Sequence, residues 1–280
     1  MTSSHVMVVT GATNGIGLIT AHALAQQGAR VVLVGRSPER LAMAVAHIQA
    51  TNPDASLDTV CADLSVQRDV LAVASHIKSH YDRIDVLINN AGAYFATHQR
   101  SSDGIELTWA LNHMAPFMLT TELLDLFRQS APARIITVSS MAHQSAKINF
   151  DDLQGERRYS GWAAYAQSKL ANILFTYELA DRLQQSDITV NCLHPGFVAT
   201  GFAQNNAGFM AGAMAVLQRF FAITPEKGAE TSIFLATSPS VAQVTGRYFV
   251  DSKAVASSPA SYDVTTRRRL WDISTKLARR

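Results

Sequence analysis

The chain has 280 residues, 48% of them apolar and 16% charged, which is enough apolar material for a large core and excludes a disordered chain. Lys and Arg total 24 against 22 Asp and Glu, and the resulting formal charge of +2 is too small a basic excess for a nucleic-acid binder. Two cysteines, Cys61 and Cys192, each within an apolar run, exclude a disulfide scaffold and point to a reducing, cytoplasmic setting.

Runs rich in Val, Ile and Leu recur at 5–10, 30–34, 58–62, 85–89, 134–139, 189–193 and 247–250. Several are apolar on both faces, as buried parallel strands are. Helical patterns at 16–27, 38–50, 161–185 and 225–237 separate them. The first carries Leu18, Ile19, Ala23 and Leu24 at helical spacing, the second starts at Ser37 as N-cap with Pro38 in its first turn, and the last follows Thr224. This alternation predicts a doubly wound, Rossmann-type α/β fold: a seven-stranded parallel sheet with helices on both faces, in a single domain over 1–280. Right-handed crossovers then bring all strand C-termini to one edge, where ligands bind. The segment 201–223 breaks the alternation and is expected to be a lid over that edge, with Phe202, Phe209, Phe220 and Phe221 among its apolar residues. The longest uncharged apolar stretch, 207–217, is far short of the ~20 residues that cross a bilayer, so no transmembrane segment is expected. Arg267, Arg268 and Arg269, next to Leu270 and Trp271, are expected on the solvated side of a short C-terminal helix.

The first strand leads into Thr10-Gly11-Ala12-Thr13-Asn14-Gly15-Ile16-Gly17 and then a helix. Glycines there let the backbone approach a pyrophosphate, and the helix N-terminus supplies free N–H groups. The second strand ends in Gly35-Arg36, with no carboxylate for a ribose 2′-OH. A guanidinium at that point suits a 2′-phosphate, so NADP(H) is favoured over NAD(H). The third strand ends in Asp63-Leu64, where Asp63 either accepts from an adenine amino group or caps the next helix. The fourth ends in Asn89-Asn90-Ala91-Gly92, small residues where a ligand passes close to the backbone.

Tyr165 and Lys169 sit four apart in the long helical segment and so share a helix face. A phenol is a poor base at neutral pH, and a neighbouring ammonium favours its ionised form. Ser139 and Ser140 close the fifth strand, Asn112 lies in the helical segment before it, and the sixth strand ends in His194-Pro195-Gly196-Phe197-Val198-Ala199-Thr200. His76 and His80 also share a helix face, but no acidic third ligand accompanies them, so no metal is expected. His143 and His194 are taken as structural or substrate-shaping.

In this order, the glycine loop, Asn-Asn-Ala-Gly, Ser140, Tyr165 with Lys169, and Pro195-Gly196 with Thr200 resemble the classical short-chain dehydrogenase/reductases. Ser139-Ser140-Met141-Ala142-His143, the stretch 149–156 and Lys169-Leu170-Ala171-Asn172 resemble its retinol-dehydrogenase-like and WW-domain-oxidoreductase-like branch. The resemblance implies a tetrad of Asn112, Ser140, Tyr165 and Lys169, with Tyr165 as proton donor and acceptor. Ser140 would bind the substrate oxygen, Lys169 the nicotinamide ribose, and Asn112 a water linking Lys169 to solvent. It also implies cofactor contacts from Gly11, Thr13, Asn14, Ile16, Arg36, Asp63, Leu64 and Asn90, with Pro195, Gly196, Val198 and Thr200 lining the nicotinamide. Homodimers or homotetramers are common in that family, and the extra apolar faces of 161–185 suit a helix-mediated assembly. Many retinol dehydrogenases carry an N-terminal membrane anchor, and none is expected here. The expected activity is NADP(H)-dependent interconversion of a lipophilic aldehyde or ketone and its alcohol, with Tyr94, Phe95, Met141 and Trp162 adding to an apolar pocket. A light-dependent reductase of a protochlorophyllide-type pigment and a catalytically silent NADP-sensing protein are the alternatives.

Overall fold

Among the residues that the computed structural model describes, 5–196 and 224–278, the alternation folds into one sheet. Its strands are β1 (Val6–Thr10), β2 (Arg30–Gly35), β3 (Leu57–Cys61), β4 (Val86–Asn89), β5 (Ala133–Val138), β6 (Ile188–His194), β7 (Arg247–Val250) and β8 (Lys253–Val255). They lie in the order β3-β2-β1-β4-β5-β6-β7-β8. β1 to β7 are parallel, as expected, and β8 is an additional antiparallel edge strand absent from the seven-stranded expectation. The difference has a physical cause. β8 is only three residues long and exposed throughout, so it carries no apolar alternation. The turn before it, Asp251-Ser252, holds both residues at positive φ (47° and 60°), a two-residue hairpin made without glycine.

Alternate strand residues feed two apolar layers. Val8, Val32, Leu87 and Ile135 enter one, and Val9, Leu33, Ile88 and Ile136 the other. The first layer is covered by α3 (Gln67–His80), α5 (Ala115–Glu122), α6 (Leu124–Ser130), α7 (Gly161–Arg182) and α9 (Val264–Ala278). Before α5 the chain makes a short α4 (Leu107–Trp109) and a π-helical turn (Ala110–Met114). The second layer is covered by α1 (Gly15–Gln26), α2 (Pro38–Gln49) and α8 (Pro225–Thr237). The chain winds outward in both directions from the neighbours β1 and β4, so the switch in strand order lies between their C-termini.

The predicted caps form. Ser37 accepts the Arg40 N–H at 3.2 Å and Thr224 the Lys227 N–H at 3.3 Å. α1 turns a different face inward than its large residues suggest: Gly17, Thr20, Ala21, Leu24 and Ala25 are buried, while Leu18, Ile19 and Ala23 are half-buried. Small residues bring this helix close to the sheet, and the larger ones fill its flanks.

α7 also departs from expectation. Every residue from Tyr165 to Ala180 is buried within one chain, so the apolar faces assigned to an assembly contact are covered internally, in part by α9. α9 itself has 15 residues and is not simply solvated on its arginine side. Arg267 pairs with Asp181 at 2.7 Å, and the Arg269 guanidinium lies 4.2 Å from the Phe150 ring centre. Cys61 is exposed on edge strand β3, Cys192 is buried, and both are free. No helix among the described residues is long and apolar enough to cross a membrane.

Candidate active site

The C-terminal ends of the strands gather the residues singled out by sequence. Gly11 and Gly15 take positive φ (65° and 51°) as the chain leaves β1. Gly17 has no space for a side chain: a Cβ there would lie 2.2 Å from the Gly11 carbonyl oxygen and 2.5 Å from Asn90 Nδ2. Asn90 ties this loop across the switch point, with Nδ2 donating to the carbonyls of Thr10 (2.8 Å) and Gly11 (3.3 Å). Thr10 Oγ1 accepts the N–H groups of Asn90 and Ala91, each at 3.0 Å. Asn14 is the N-cap of α1, yet its side chain makes no capping bond, which leaves first-turn N–H groups without a side-chain acceptor. That is the donor set a pyrophosphate needs, so the loop fits a dinucleotide.

Thr13 packs on Gly35, where a Cβ would meet Thr13 Cγ2 at 2.6 Å. Arg36 therefore leaves β2 beside the glycine loop, exposed and without an ion pair among the described residues. Asp63 follows β3, and its Oδ1 accepts the Ser65 N–H (2.9 Å) and hydroxyl (2.7 Å), a local turn leading into α3. The Leu64 side chain is buried in the first apolar layer. Ile16 is half-buried at the start of α1.

Asn112, Ser140, Tyr165 and Lys169 come together from three elements. Asn112 sits in the π-helical turn, fully buried, its Oδ1 accepting the Ala93 N–H (2.9 Å) and its Nδ2 donating to the Ala93 carbonyl (3.0 Å) and Ser168 Oγ (3.0 Å). Ser168 Oγ in turn donates to the Tyr165 carbonyl at 2.7 Å. This side chain therefore locks the loop after β4 onto the helix carrying Tyr165. Gly92, also in that loop, is exposed, and a Cβ on it would come within 3.2 Å of Asn112 Oδ1 and 3.3 Å of Lys169 Nζ. A larger residue there would crowd the amine.

Lys169 is 4% exposed, and its Nζ donates to the Val138 carbonyl at 3.0 Å and lies 5.6 Å from the Tyr165 ring centre. No carboxylate pairs with it among the described residues, and burial pushes the amine down to about 8. Burial pushes the Tyr165 phenol up to about 12, against a hydrogen bond with Ser140 that favours its ionisation. Ser140 caps a short 3₁₀ turn, its Oγ accepting the Ala142 N–H at 3.2 Å. Phenol, hydroxyl and ammonium thus meet at one point of the sheet edge.

Pro195 and Gly196 are half-buried at the end of β6, with the Gly196 N–H donating to His194 Nδ1 at 3.3 Å. Val198, Thr200 and the expected lid at 201–223 lie outside the described residues. Of the expected pocket residues, Met141 (59% exposed) and Trp162 (53%) present large apolar surface. The rings of Trp162 and Tyr94 each lie 6.2 Å from that of Tyr165. The Phe95 side chain is buried, and its carbonyl accepts the Tyr159 hydroxyl at 3.0 Å. His76 and His80 stack on one helix face, and no group of three metal-ligating residues occurs among the described residues. The roles of the Val138 carbonyl and Ser168 had no signal in the sequence, since both follow from tertiary packing.

The short chain dehydrogenase family matches residues 5–209. The chain is 40% identical to mouse retinol dehydrogenase 14 over 280 aligned residues, spanning 96% of this chain and 84% of that one. It is 40% identical to human retinol dehydrogenase 11, spanning 97% of this chain and 85% of that one. An uncharacterized protein from Mycobacterium paratuberculosis superposes with a TM-score of 0.80 at 29% identity, over 98% of this chain and 93% of that one. The Pseudomonas aeruginosa RhlG/NADP active-site complex superposes with a TM-score of 0.70 at 28% identity, over 89% and 94%.

Proposed function

The chain belongs to the short-chain dehydrogenase family, in its retinol-dehydrogenase-like branch, and we propose that it interconverts a lipophilic aldehyde or ketone and its alcohol with NADP(H). One observation carries this reading: a buried ammonium without a counter-ion, Lys169, sits beside a buried phenol, Tyr165, at the edge of the sheet. A buried ammonium without a counter-ion costs stability.

When bound, the nicotinamide supplies or takes up a hydride. The chain's own groups handle the proton and the oxygen. The Ser140 hydroxyl donates to the carbonyl oxygen and Tyr165 delivers the proton to it. Burial pushes the Tyr165 phenol up to about 12, so it is protonated at neutral pH, the state a proton donor needs. In the reverse direction Tyr165 takes the proton, and the adjacent Lys169 charge favours the phenolate. In this reading Lys169 also holds the ribose, while Asn112 holds the loop after β4 against α7.

The exposed, unpaired Arg36 beside the glycine loop supports NADP(H), because a guanidinium binds a 2′-phosphate in a way that a ribose hydroxyl does not require. The apolar rim of Met141, Trp162 and Tyr94 supports a lipophilic substrate, as do relatives named for retinol. The same reading places the protein in the cytoplasm, where an exposed thiol such as Cys61 stays free.

The test is NADPH oxidation over a panel of hydrophobic aldehydes and ketones. Turnover by the wild-type chain is expected, with a loss of roughly 10²- to 10⁴-fold in Tyr165→Phe. Undiminished turnover in that variant would reject Tyr165 as the proton donor.

A further inference from the structure

We infer that His143 is a positioning residue for Ser140, one that ties the serine's turn to segment 257–262 and through it to the helix bearing Tyr165 and Lys169. The inference rests on the function proposed above, in which Ser140 and Tyr165 must meet at one substrate oxygen. These two groups come from different elements, the end of β5 and the first turns of α7.

The imidazole of His143 is fully buried, and both ring nitrogens are satisfied by main chain. Nδ1 lies 2.7 Å from the Ser140 carbonyl, which can only accept. Nε2 lies 3.1 Å from the Ser258 N–H, which can only donate. The partners therefore fix one neutral tautomer, with the proton on Nδ1 and the lone pair on Nε2. The ring packs edge-on to Tyr248 at 5.0 Å, which holds its plane.

Segment 257–262 is itself anchored to α7. Ser257 Oγ lies 2.7 Å from the Tyr177 hydroxyl and 2.6 Å from Ser261 Oγ, and Ser261 Oγ donates to the Ser258 carbonyl at 2.6 Å. The path Ser140–His143–Ser258–Ser257–Tyr177 is closed, and Tyr177 shares α7 with Tyr165. Removing Nε2 leaves the Ser258 N–H without its partner, whereas removing Nδ1 leaves the Ser140 carbonyl only the main-chain N–H of residue 143, at 3.2 Å.

Two variants separate the ends. In His143→Asn the side-chain N–H takes the place of the Nδ1 proton and serves the Ser140 carbonyl. In His143→Gln the longer side chain carries its oxygen to the place of Nε2 and serves the Ser258 N–H, but leaves the Ser140 carbonyl without the side-chain donor. For reduction of a hydrophobic aldehyde, His143→Gln is expected to lower kcat about tenfold to a hundredfold, the usual cost of a small misplacement of a reacting group. His143→Asn, which releases the Ser258 N–H, severs the same path and is expected to lower kcat by a similar factor, and both variants are expected to keep the wild-type Kd for NADPH, since the glycine loop lies apart from this path. A merely structural histidine would instead lower the melting temperature of both variants without changing kcat per folded molecule. That result overturns the inference, as does wild-type kcat in His143→Gln while Tyr165→Phe is inactive. Full turnover in Tyr165→Phe overturns the underlying function, and the positioning role with it.

Discussion

Replacing Lys169 with methionine should make the protein more stable and less active at once. Burial lowers the Lys169 amine from 10.5 to about 8, so at pH 7 the fold holds an ammonium that water would hold more readily. At about 1.4 kcal/mol per tenfold change in proton affinity, that costs roughly 3 kcal/mol. Methionine removes the charge and fills similar space, at the loss of the bond to the Val138 carbonyl, worth about 1 kcal/mol. That carbonyl keeps Asn172 Nδ2 at 3.4 Å. The net gain is about 2 kcal/mol at pH 7, or about 3 °C in Tm for a chain of this size. The pH dependence identifies the cause. Between pH 8 and 10.5 the unfolded wild-type chain holds the Lys169 proton and the folded chain has released it, so wild-type stability rises with pH in that window. The variant's advantage should vanish by about pH 10.5. Urea unfolding of both proteins at pH 7 and pH 10 measures it, with NADPH turnover followed in parallel. A variant less stable at pH 7, or one whose advantage is the same at both pH values, would refute the account of Lys169 as an uncompensated buried charge.

Two further substitutions test the cofactor cradle. If Arg36 binds a 2′-phosphate, Arg36→Ala should raise the Kd for NADPH about 10- to 100-fold, the worth of a charged hydrogen bond, and leave NADH within about twofold; fluorescence titration with both nucleotides decides it, and equal losses would count against the phosphate role. Gly17→Ala pushes a methyl against the Gly11 carbonyl and Asn90, so it should destabilise the fold by about 1–3 kcal/mol and weaken NADPH binding. A wild-type melt with an unchanged Kd would show that the loop does not need to close there.

Much of this architecture is legible because parallel strands buried on both faces leave continuous apolar runs, as in Val31-Val32-Leu33-Val34. Each run ends in the residues of one edge, so finding the strands also finds the glycine loop, Arg36, Asn90 and Ser140. What is hidden depends on tertiary context. The π-helical turn at Asn112 is set by a backbone register, the Ala115 N–H donating to the Ala110 carbonyl, and no residue type marks it. Phe95 and Met141 are both large and apolar, yet one is buried and the other exposed, because loop residues carry no periodicity to assign a face. Nor does the i, i+4 spacing of Tyr165 and Lys169 say that the lysine is buried, which is the feature that makes the pair chemically informative.

The apolar excess of α7 shows how the same composition is satisfied in two ways. From sequence it fits a face kept for a second copy; in the fold α9 lies there instead. Trp271 is the centre of that cover. Its ring lies 5.1 Å from Phe117 and 5.9 Å from Phe175, and the Arg182 guanidinium sits 4.2 Å above it. Full burial of a tryptophan is worth about 3–5 kcal/mol on truncation to alanine, and a half-buried one in an aromatic cluster about 2–3 kcal/mol. Trp271→Ala should lose that much stability in urea and also uncover Phe117 and Phe175, which lie on two neighbouring helices. An uncovered patch of that kind seeks another apolar surface, so sedimentation velocity should show the variant associating more than the wild type as concentration rises. If the variant keeps wild-type stability and sediments like the wild type at every concentration, then α9 does not shield α7. The apolar faces of α7 would then need another explanation.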